Sequence, residues 1–262
     1  MQQPVRAKKH LGQHFLNDES IARNIVDALL EKDKTTPIIE VGPGTGVLTQ
    51  HMITQIDKFF ALDVDTESVA FLKEKYPAQQ NKVSLSDFLE ADLEKLAGPK
   101  FNVIGNFPYN ISSQIMFKVL DHKNQVDYCV GMFQKEVAMR LAEKPGSKVY
   151  GILSVLLQAY YDIEYLFTVQ ENAFTPPPKV KSAVIRLTRN KVQKLDCDEV
   201  LFKKVVKTAF NQRRKTIRNS IRVLFNNNEI RYPLLDKRPE QLSVAQFVDL
   251  TKFVEENSFP QT

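Results

Sequence analysis

The sequence predicts an α/β protein in which a mostly parallel sheet has helices on both faces and is followed by a small all-helical domain. As far as residue 190, short apolar runs alternate with segments of helical periodicity, as in repeated strand–helix units. Several of these runs end in glycine, aspartate or asparagine. Beyond residue 190, apolar residues recur at helical spacing only. We therefore predict two domains, residues 1–190 and residues 191–262.

The first five predicted strands are apolar runs that are too short for a helix, and the last is predicted from the alternation of its side chains. The predicted strands cover Ile38–Val41, residues 59–62, Val83–Leu85, and residues 101–104, 126–133 and 180–188. The last one follows Pro176-Pro177-Pro178, a run that neither a helix nor a central strand accommodates. Ligands of parallel sheets bind at the carboxyl ends of the strands, so the residues that follow these runs are candidates for a site.

Helices are predicted where apolar residues recur every three or four positions. Val69, Leu72 and Tyr76 predict a helix over residues 66–76. The same reasoning predicts helices over residues 47–55, 111–120, 200–210, 214–224 and 243–256. Ser243 is a suitable N-cap for the last of them.

The composition is that of an ordinary globular protein, with 43% hydrophobic and 26% charged residues. No apolar run approaches the roughly 18 residues of a membrane span, and the polar, basic N-terminus lacks the apolar core of a secretory signal. We therefore expect a cytoplasmic protein, and we assume a monomer. The two cysteines, Cys129 and Cys197, are far apart in apolar surroundings, which argues against a disulfide framework and a cysteine zinc site. The four histidines show no metal-ligand spacing, so no metal is expected.

The positive charge is concentrated near the C-terminus. Residues 1–190 carry 22 basic and 22 acidic side chains, whereas residues 191–262 carry 14 and 9, so the second part holds the whole net charge of +5. Eight basic and no acidic residues lie between Lys203 and Arg222. Such a one-signed cluster favours a polyanionic partner, most simply nucleic acid, and a solvated helix face is the alternative. On the predicted helix, Arg214, Arg218 and Arg222 would stack at i, i+4 spacing.

A glycine-rich loop, Glu40-Val-Gly42-Pro-Gly44-Thr-Gly46, joins the first strand to a predicted helix. Closely spaced glycines let the backbone approach a ligand, and a helix start offers free N–H groups. The dinucleotide fingerprint places its last glycine where this chain has Val47, and no Gly-Lys-Ser/Thr triplet of a phosphate loop follows. The loop is instead similar to the adenosylmethionine-binding loop of methyltransferases. A tight strand–helix turn is the alternative.

Two acidic residues follow the next two strands. Asp63 lies 19 residues after Gly44, near the position where a carboxylate accepts hydrogen bonds from a ribose diol. Asp65 could be a helix N-cap, and we favour Asp63 because it directly ends the apolar run. Asp87 could accept from an adenine amino group with Phe88 near the ring, although a turn residue is the simpler interpretation.

The tetrad Asn106-Phe107-Pro108-Tyr109 follows the fourth strand and is the most diagnostic feature of the chain. The N6 amine of adenine is a poor nucleophile because its lone pair is delocalised into the ring. An Asn side-chain oxygen and a backbone carbonyl beside proline can accept its two hydrogens, which directs the lone pair at a methyl donor. An aromatic ring can stack on the base. A proline-containing turn without this chemistry is the alternative.

Phe174 lies just before the proline run and Lys179 just after it. An aromatic residue held by this run could form the second face of a base sandwich, and Lys179 could contact phosphate. Taken alone, a buried structural Phe174 is the simpler interpretation.

These motifs resemble those of the KsgA-type small-subunit ribosomal RNA adenine N6,N6-dimethyltransferases over essentially the full length of the chain. The matching stretches are Gly12-Gln-His-Phe-Leu16, Glu40-Val-Gly-Pro-Gly-Thr-Gly46, Asn106-Phe-Pro-Tyr-Asn-Ile-Ser112, Gln134-Lys-Glu-Val137, Phe174-Thr-Pro-Pro-Pro-Lys-Val-Lys-Ser-Ala-Val184 and Phe210-Asn-Gln-Arg-Arg-Lys-Thr-Ile-Arg-Asn-Ser220. The resemblance implies a Rossmann-like class I methyltransferase domain over residues 1–190 and a helical RNA- and ribosome-binding domain over residues 191–262.

The resemblance also implies three sets of site residues. The set for S-adenosyl-L-methionine is His14, Leu16, Gly42, Gly44, Gly46, Asp63, Asp87 and Asn106. The catalytic set around the target base is Asn106, Pro108, Tyr109 and Phe174. The RNA-binding set is Lys179, Arg213, Arg214, Lys215, Arg218 and Arg222. The chain has His14 where the family usually has asparagine, and Asp63 where it often has glutamate.

The implied reaction is double methylation of two adjacent adenosines near the 3′ end of small-subunit RNA, within a precursor particle during ribosome biogenesis. Three other functions remain open: a large-subunit adenine dimethyltransferase, a DNA adenine methyltransferase, and an assembly factor that binds without catalysis. The large-subunit family has a lysine within the proline run, and DNA enzymes usually have proline where this chain has Phe107. The intact glycine loop, Asn106 and Tyr109 favour catalysis.

Overall fold

The computed structural model describes residues 5–225 and 231–257. The strands within these residues are β1 (Phe15–Leu16), β2 (Ile38–Val41), β3 (Phe59–Asp63), β4 (Val83–Leu85), β5 (Phe101–Asn106), β6 (Val126–Gln134), β7 (Tyr161–Val169), β8 (Phe174–Thr175) and β9 (Ser182–Arg189). The α-helices are α1 (Glu19–Leu30), α2 (Thr66–Lys75), α3 (Leu93–Ala97), α4 (Ser112–Asp121), α5 (Lys135–Ala142), α6 (Ile152–Gln158), α7 (Glu199–Asn211), α8 (Ile217–Ser220) and α9 (Val244–Asn257).

A seven-stranded sheet forms within the described residues in the order β4-β3-β2-β5-β6-β9-β7. β4, β3, β2, β5 and β6 run parallel, and β9 is antiparallel to β6. All four residues of β2 are buried, as expected for a strand covered on both sides. The predicted mostly parallel sheet is therefore confirmed. Because β2, β3 and β5 are parallel neighbours, their carboxyl ends lie side by side.

The N-caps of three helices follow from local sequence. Asp18 caps α1 by accepting from the N–H groups of Ser20 and Ile21, and Asp65 caps α2 by accepting from Glu67. Ser243, the predicted cap, accepts from the N–H of Gln246 at 3.2 Å at the start of α9. These caps fix where each helix begins.

The predicted helix over residues 47–55 is wrong in type. The segment contains a 3₁₀ helix, Thr49–His51, flanked by turns. Its backbone mixes two patterns: Ile53 N–H donates to Thr49, four residues back, whereas His51 donates to Leu48, three residues back. Leu48 and Ile53 are nevertheless fully buried, so the apolar stripe that suggested a helix does pack into the core.

A two-stranded antiparallel pair, β1 with β8, was not predicted. Leu16 pairs with Phe174, and both side chains are buried in the core cluster that also holds α1. The pair attaches the N-terminal segment to the residues just before the proline run.

The chain divides into two units, Met1–Ala138 with Asp162–Arg189, and Met139–Tyr161 with Asn190–Thr262. One boundary between the units lies between Arg189 and Asn190, and the second unit also takes Met139–Tyr161. The reason is packing: α6, within this insertion, lies against α7 and α9. The ring centroid of the fully buried Tyr150 lies 6.4 Å from that of Phe210. The Phe210 ring in turn stacks on Phe247, with centroids 5.9 Å apart. The division into domains 1–190 and 191–262 stays a prediction.

The predicted helix over residues 214–224 is interrupted. α7 ends at Asn211, α8 covers only Ile217–Ser220, and a 3₁₀ helix follows at Arg222–Leu224. Thr216 before α8 is extended, and the Ile217 N–H donates to the Lys237 carbonyl instead of to a preceding turn. The expected i, i+4 stack of Arg214, Arg218 and Arg222 is therefore wrong, since the first and last of them lie outside α8. The described residues hold no helix that is long and apolar enough to span a membrane.

Candidate active site

A cavity of about 210 Å³ opens at the carboxyl ends of the parallel strands. Its walls come from the glycine loop after β2, the ends of β3 and β4, the loop after β5, and an N-terminal segment, residues 8–16, which we call the strap. The lining residues are Leu11, Gly12, Gln13, His14, Phe15, Gly42, Gly44, Asp63, Val64, Asp87, Leu89, Asn106, Phe107, Pro108, Tyr109, Asn110 and Ile111. The candidate positions after the first four predicted strands, at Gly42, Asp63, Asp87 and Asn106, thus meet at one place.

Two glycines of the loop show why side chains are excluded there. Gly44 has φ +55°, and a Cβ atom would lie 2.8 Å from the Phe15 ring of the strap. Gly46 has φ +82°, and a Cβ atom would lie 2.5 Å from Leu72. Gly42 and Gly44 line the cavity, whereas Gly46 does not and instead allows α2 to pack closely.

Asp63 is held beneath the loop. Its Oδ2 accepts from the Gly44 N–H at 3.1 Å and its Oδ1 from the Asp65 N–H at 2.9 Å. Burial raises the pKa of Asp63 above its usual value, and the two N–H donors oppose that rise. A carboxylate that is 5% exposed and lines the cavity is placed to accept hydrogen bonds from a ligand.

Asp65 plays a different part, as the cap of α2 and the anchor of the strap. Lys8 Nζ forms an ion pair with its Oδ1, and Gln13 Nε2 donates to its Oδ2 at 3.1 Å. Lys8 Nζ also lies 3.2 Å from Glu67 Oε1. Sequence reasoning foresaw the N-cap and missed the anchor, because nothing in local sequence pairs Lys8 with Asp65.

Glu40 was part of the motif but was given no role of its own. It is 1% exposed, and Thr49 Oγ1 donates to its Oε2 at 2.8 Å. Burial raises the pKa of Glu40 to about 8, with repulsion from Asp63 adding to the rise and the Thr49 bond opposing it. Two buried acids therefore lie close together under the glycine loop.

Asp87 is exposed and lines the cavity, and its Oδ1 accepts from the Leu89 N–H at 2.8 Å. The turn role considered from sequence is therefore present alongside a position at the cavity. Phe88, expected near a bound ring, is instead 3% exposed and lies in the core. The apolar side chains at this part of the wall are Val64 and Leu89, which sequence reasoning missed. Val64 directly follows Asp63 and is 48% exposed. Its place after a predicted strand is the signal from which sequence reasoning could have found it.

The loop after β5 contacts the strap. Asn106 Nδ2 donates to the His14 carbonyl oxygen at 2.8 Å. The His14 ring stacks on Tyr109, with centroids 5.3 Å apart, and its Nδ1 donates to the Pro176 carbonyl at 2.8 Å. The Tyr109 and Ser182 hydroxyls are hydrogen-bonded at 2.5 Å. With Nδ2 of Asn106 engaged, its Oδ1 is the atom that can accept hydrogens from a ligand amine.

The model of one family, described as ribosomal RNA adenine dimethylase, matches residues 5–256. This chain belongs to that family. It is similar to "Ribosomal RNA small subunit methyltransferase A" of Parabacteroides distasonis, at 57% identity over 94% of this chain and 93% of the relative. The protein with the same description in Cytophaga hutchinsonii is 55% identical over 95% and 98% of the two chains.

Solved structures show the same fold. A dimethyladenosine transferase from Plasmodium falciparum superposes with a TM-score of 0.78 at 22% identity, over 94% of this chain and 100% of that one. The 23S rRNA methyltransferase ErmE gives 0.66 at 23% identity, over 91% and 99%. The class I methyltransferase fold expected from the sequence is therefore confirmed.

The structure does not bring every expected residue of this adenine dimethylase to the cavity. Leu16 is 2% and Phe174 is 3% exposed, and both lie in the core rather than in the cavity wall. Leu16, the last residue of the strap, pairs with Phe174 and joins the end of the strap to the core. Their expected roles at cofactor and base therefore stay predictions.

The expected RNA-binding residues are distributed over both units of the dimethylase. Lys179, Arg214, Lys215 and Arg222 are exposed. Arg218 forms an ion pair with Asp236 at 3.0 Å, and Arg213 donates to the Lys148 carbonyl. In the described part of the chain, no group of three or more His, Cys, Asp or Glu side chains could hold a metal ion.

Proposed function

We propose that this protein transfers methyl groups from S-adenosyl-L-methionine to N6 of two adjacent adenosines near the 3′ end of small-subunit ribosomal RNA, giving N6,N6-dimethyladenosine. One observation carries the proposal. In a member of the adenine dimethylase family, a single cavity joins the glycine loop and Asp63 to Asn106 and Tyr109. Its relatives carry the description of small-subunit methyltransferases, which favours that RNA over the large-subunit alternative.

The cavity wall suits adenosylmethionine, which when bound supplies a methyl group on a positively charged sulfur. Asp63 is the acceptor for the ribose hydroxyls, because its carboxylate is fixed by Gly44 at the end of β3. Asp87 has an oxygen for the adenine amino group, with Val64 and Leu89 as apolar walls for the ring. The backbone at Gly42 and Gly44 and the strap at His14 enclose the methionine part. Leu16, buried in the core, is assigned to the cofactor on the resemblance alone.

Asn106 orients the amine that is methylated. Its Oδ1 accepts one N6 hydrogen, and the backbone carbonyl of Phe107, beside Pro108, accepts the other. This arrangement withdraws the lone pair from the ring and directs it at the donor. No strong general base is needed, because the nitrogen loses its proton after it has gained the methyl group. Because Nδ2 is fixed on the strap, the amide cannot rotate to present the wrong atom.

Tyr109 supplies an aromatic face for the adenine ring. Burial raises the pKa of Tyr109, so the phenol stays neutral at physiological pH. Phe174, on the resemblance alone, is the second aromatic of this base-binding slot. The target bases come from an unpaired loop, which lowers the cost of flipping them out of a stack.

Basic residues of the second unit hold the RNA particle through phosphates. Arg214, Lys215 and Arg222 are exposed, and a set of such residues gives salt-dependent affinity without base recognition. Lys179, exposed in the first unit, adds a phosphate contact. A precursor small subunit in the cytoplasm is the substrate that this interpretation requires, and residues 191–262 together with Met139–Tyr161 form its binding domain.

The proposal is tested by transfer of tritiated methyl groups from adenosylmethionine to undermethylated small subunits. Undermethylated large-subunit RNA and plain DNA are parallel substrates, and the labelled nucleosides are identified by chromatography. We expect N6,N6-dimethyladenosine in the small subunit only. Label confined to large-subunit RNA or to DNA would overturn the choice of substrate. Tight binding to the small subunit without label in any RNA would overturn the enzymatic proposal.

A further inference from the structure

Tyr109 is held at its hydroxyl by a residue from a distant part of the chain. Its O–H and the Oγ of Ser182 are 2.5 Å apart. Tyr109 belongs to the loop between β5 and α4, whereas Ser182 is the first residue of β9. The bond therefore joins the loop that carries Asn106 to the strand that follows the proline run.

Ser182 is a rigid anchor for this bond. It is fully buried and lies opposite Gln134 in the antiparallel pairing of β9 with β6. Immediately beside it, the Lys135 N–H donates to the Lys181 carbonyl at 2.8 Å. A side chain on a paired strand moves less than one on a loop, so Ser182 can define the position of the phenol tip.

Two contacts orient the Tyr109 ring: the Ser182 bond at its tip, and the His14 ring on one face, with ring centroids 5.3 Å apart. Stacking requires a ring plane held at a constant distance and tilt from its partner. Without the bond at the tip, the phenol can swing about its Cα–Cβ and Cβ–Cγ torsions, and the base that stacks on it swings too. The N6 amine would then leave the position at which Asn106 Oδ1 accepts its hydrogen.

We propose that Ser182 is a positioning residue for methyl transfer, which holds the Tyr109 ring in the plane on which the target adenine stacks. The inference rests on the proposed function. Ser182 itself does not line the cavity, so its effect on the substrate passes through Tyr109. Ser182 lies in the matching stretch Phe174–Val184, but that stretch gives it no role, because its partner lies 73 residues away.

The test is a double-mutant cycle with Ser182→Ala, Tyr109→Phe and the double variant, assayed on undermethylated small subunits. Each single change removes the hydrogen bond and keeps the rings. We expect kcat/KM for the subunit to fall by about threefold to tenfold in either single variant, the size expected for one buried hydrogen bond. The double variant should be no worse than the poorer single variant. The Kd for adenosylmethionine should change by less than about twofold, because neither Ser182 nor Tyr109 belongs to the set of residues assigned to the cofactor.

Two matched variants separate positioning from folding. Ser182→Thr keeps a hydroxyl at this position of β9, so it should be about as active as the unmodified protein. If Ser182→Ala lost activity through misfolding, the hydroxyl of threonine would not recover it. Ser84→Ala, at a half-buried serine of β4, should leave kcat/KM unchanged. Thermal melts of all variants identify any that fail to fold.

The outcomes separate this inference from the function on which it rests. An unmodified protein that methylates no RNA would overturn both. An active protein in which the two changes multiply, so that the double variant is as poor as the product of the single losses, would overturn only the role of Ser182. An unchanged Ser182→Ala would do the same.

Discussion

Asn106 and His14 join the loop after β5 to the strap, since the Asn106 Nδ2 donates to the His14 carbonyl at 2.8 Å. The same side chain is proposed to present Oδ1 to the target amine, so one amide serves both the strap and the chemistry. The bond does not depend on the His14 side chain. The contact from Asn106 uses the backbone carbonyl, which any residue at that position retains.

Asn106→Ala should abolish methylation while RNA binding survives. It removes an acceptor that acts on the amine during transfer, and the loss of one such preorganised group costs about 10²- to 10³-fold in kcat. Methyl transfer to undermethylated subunits measures activity, and filter binding measures affinity for the particle. The control is Asn172→Ala, at an exposed asparagine that does not line the cavity. This variant should behave as the unmodified protein does. Activity within about tenfold of normal in Asn106→Ala would contradict the assigned role.

Lys8→Ala should weaken adenosylmethionine binding by loosening the strap. Lys8 pairs with Asp65 and Glu67, and the strap carries His14 and Phe15 to the cavity wall. Asp65 is buried, but the Lys8 end of the pair reaches solvent and is therefore partly screened by salt. We expect about a twofold to fourfold higher Kd, with a smaller difference above roughly 0.5 M salt. Isothermal titration calorimetry at two salt concentrations gives the comparison.

Lys9→Ala is the matched control for the strap, because Lys9 is exposed and adjacent to Lys8. It should bind the cofactor as the unmodified protein does at every salt concentration. Equal effects of the two substitutions would show that net charge, and not the pair with Asp65, controls binding.

Charge reversal in the second unit should weaken binding to the RNA particle without affecting the cofactor. Arg214→Glu and Lys215→Glu are suitable because both side chains are exposed, whereas Arg218 is already engaged by Asp236. The logarithm of the binding constant falls linearly with the logarithm of salt concentration, and each lost phosphate contact makes this slope less steep by about 0.7 to 0.9. Filter binding across a salt series measures that slope, with Lys58→Glu, at an exposed lysine of the first unit, as control. A slope unchanged by both reversals would exclude these residues from the interface.

The sheet and its strand ends could be predicted because both are local properties of the sequence. Ile38–Val41 and Val83–Leu85 match the observed β2 and β4, since an apolar run followed by a turn former has few alternatives. Asp63 and Asn106 were found for the same reason: position after a buried strand is enough to place a side chain at the edge where parallel strands end.

Contacts between distant segments could not be predicted in this way. The pairing of Leu16 with Phe174, the bond between Tyr109 and Ser182, and the anchor of Lys8 on Asp65 each join residues without a shared periodicity. The helix predicted over residues 214–224 fails for a related reason. Ile217, Ile221 and Leu224 are buried as expected, but the N–H of Ile217 is satisfied by Lys237, and a tertiary bond replaces the helical one.

Glu40 should make the stability of the cofactor-free protein fall as the pH rises. Burial raises the pKa of Glu40 from 4.5 to about 8, so between these values the folded state binds a proton that the unfolded state has released. The free energy of unfolding therefore decreases with pH across that window, because the unfolded state binds fewer protons than the native state. Asp63, whose pKa is also raised by burial, contributes in the same direction.

Glu40→Gln removes the titrating group and keeps an oxygen that can accept from Thr49 Oγ1. Urea unfolding at pH 5.5 and pH 8 should show a smaller loss of stability in this variant than in the unmodified protein, by at least about 1 kcal/mol. Glu31→Gln, at an exposed glutamate, should leave the pH dependence unchanged. If the unmodified protein is instead as stable at pH 8 as at pH 5.5, Glu40 is already ionised in the folded state, and the buried acid under the glycine loop carries its charge before any cofactor binds.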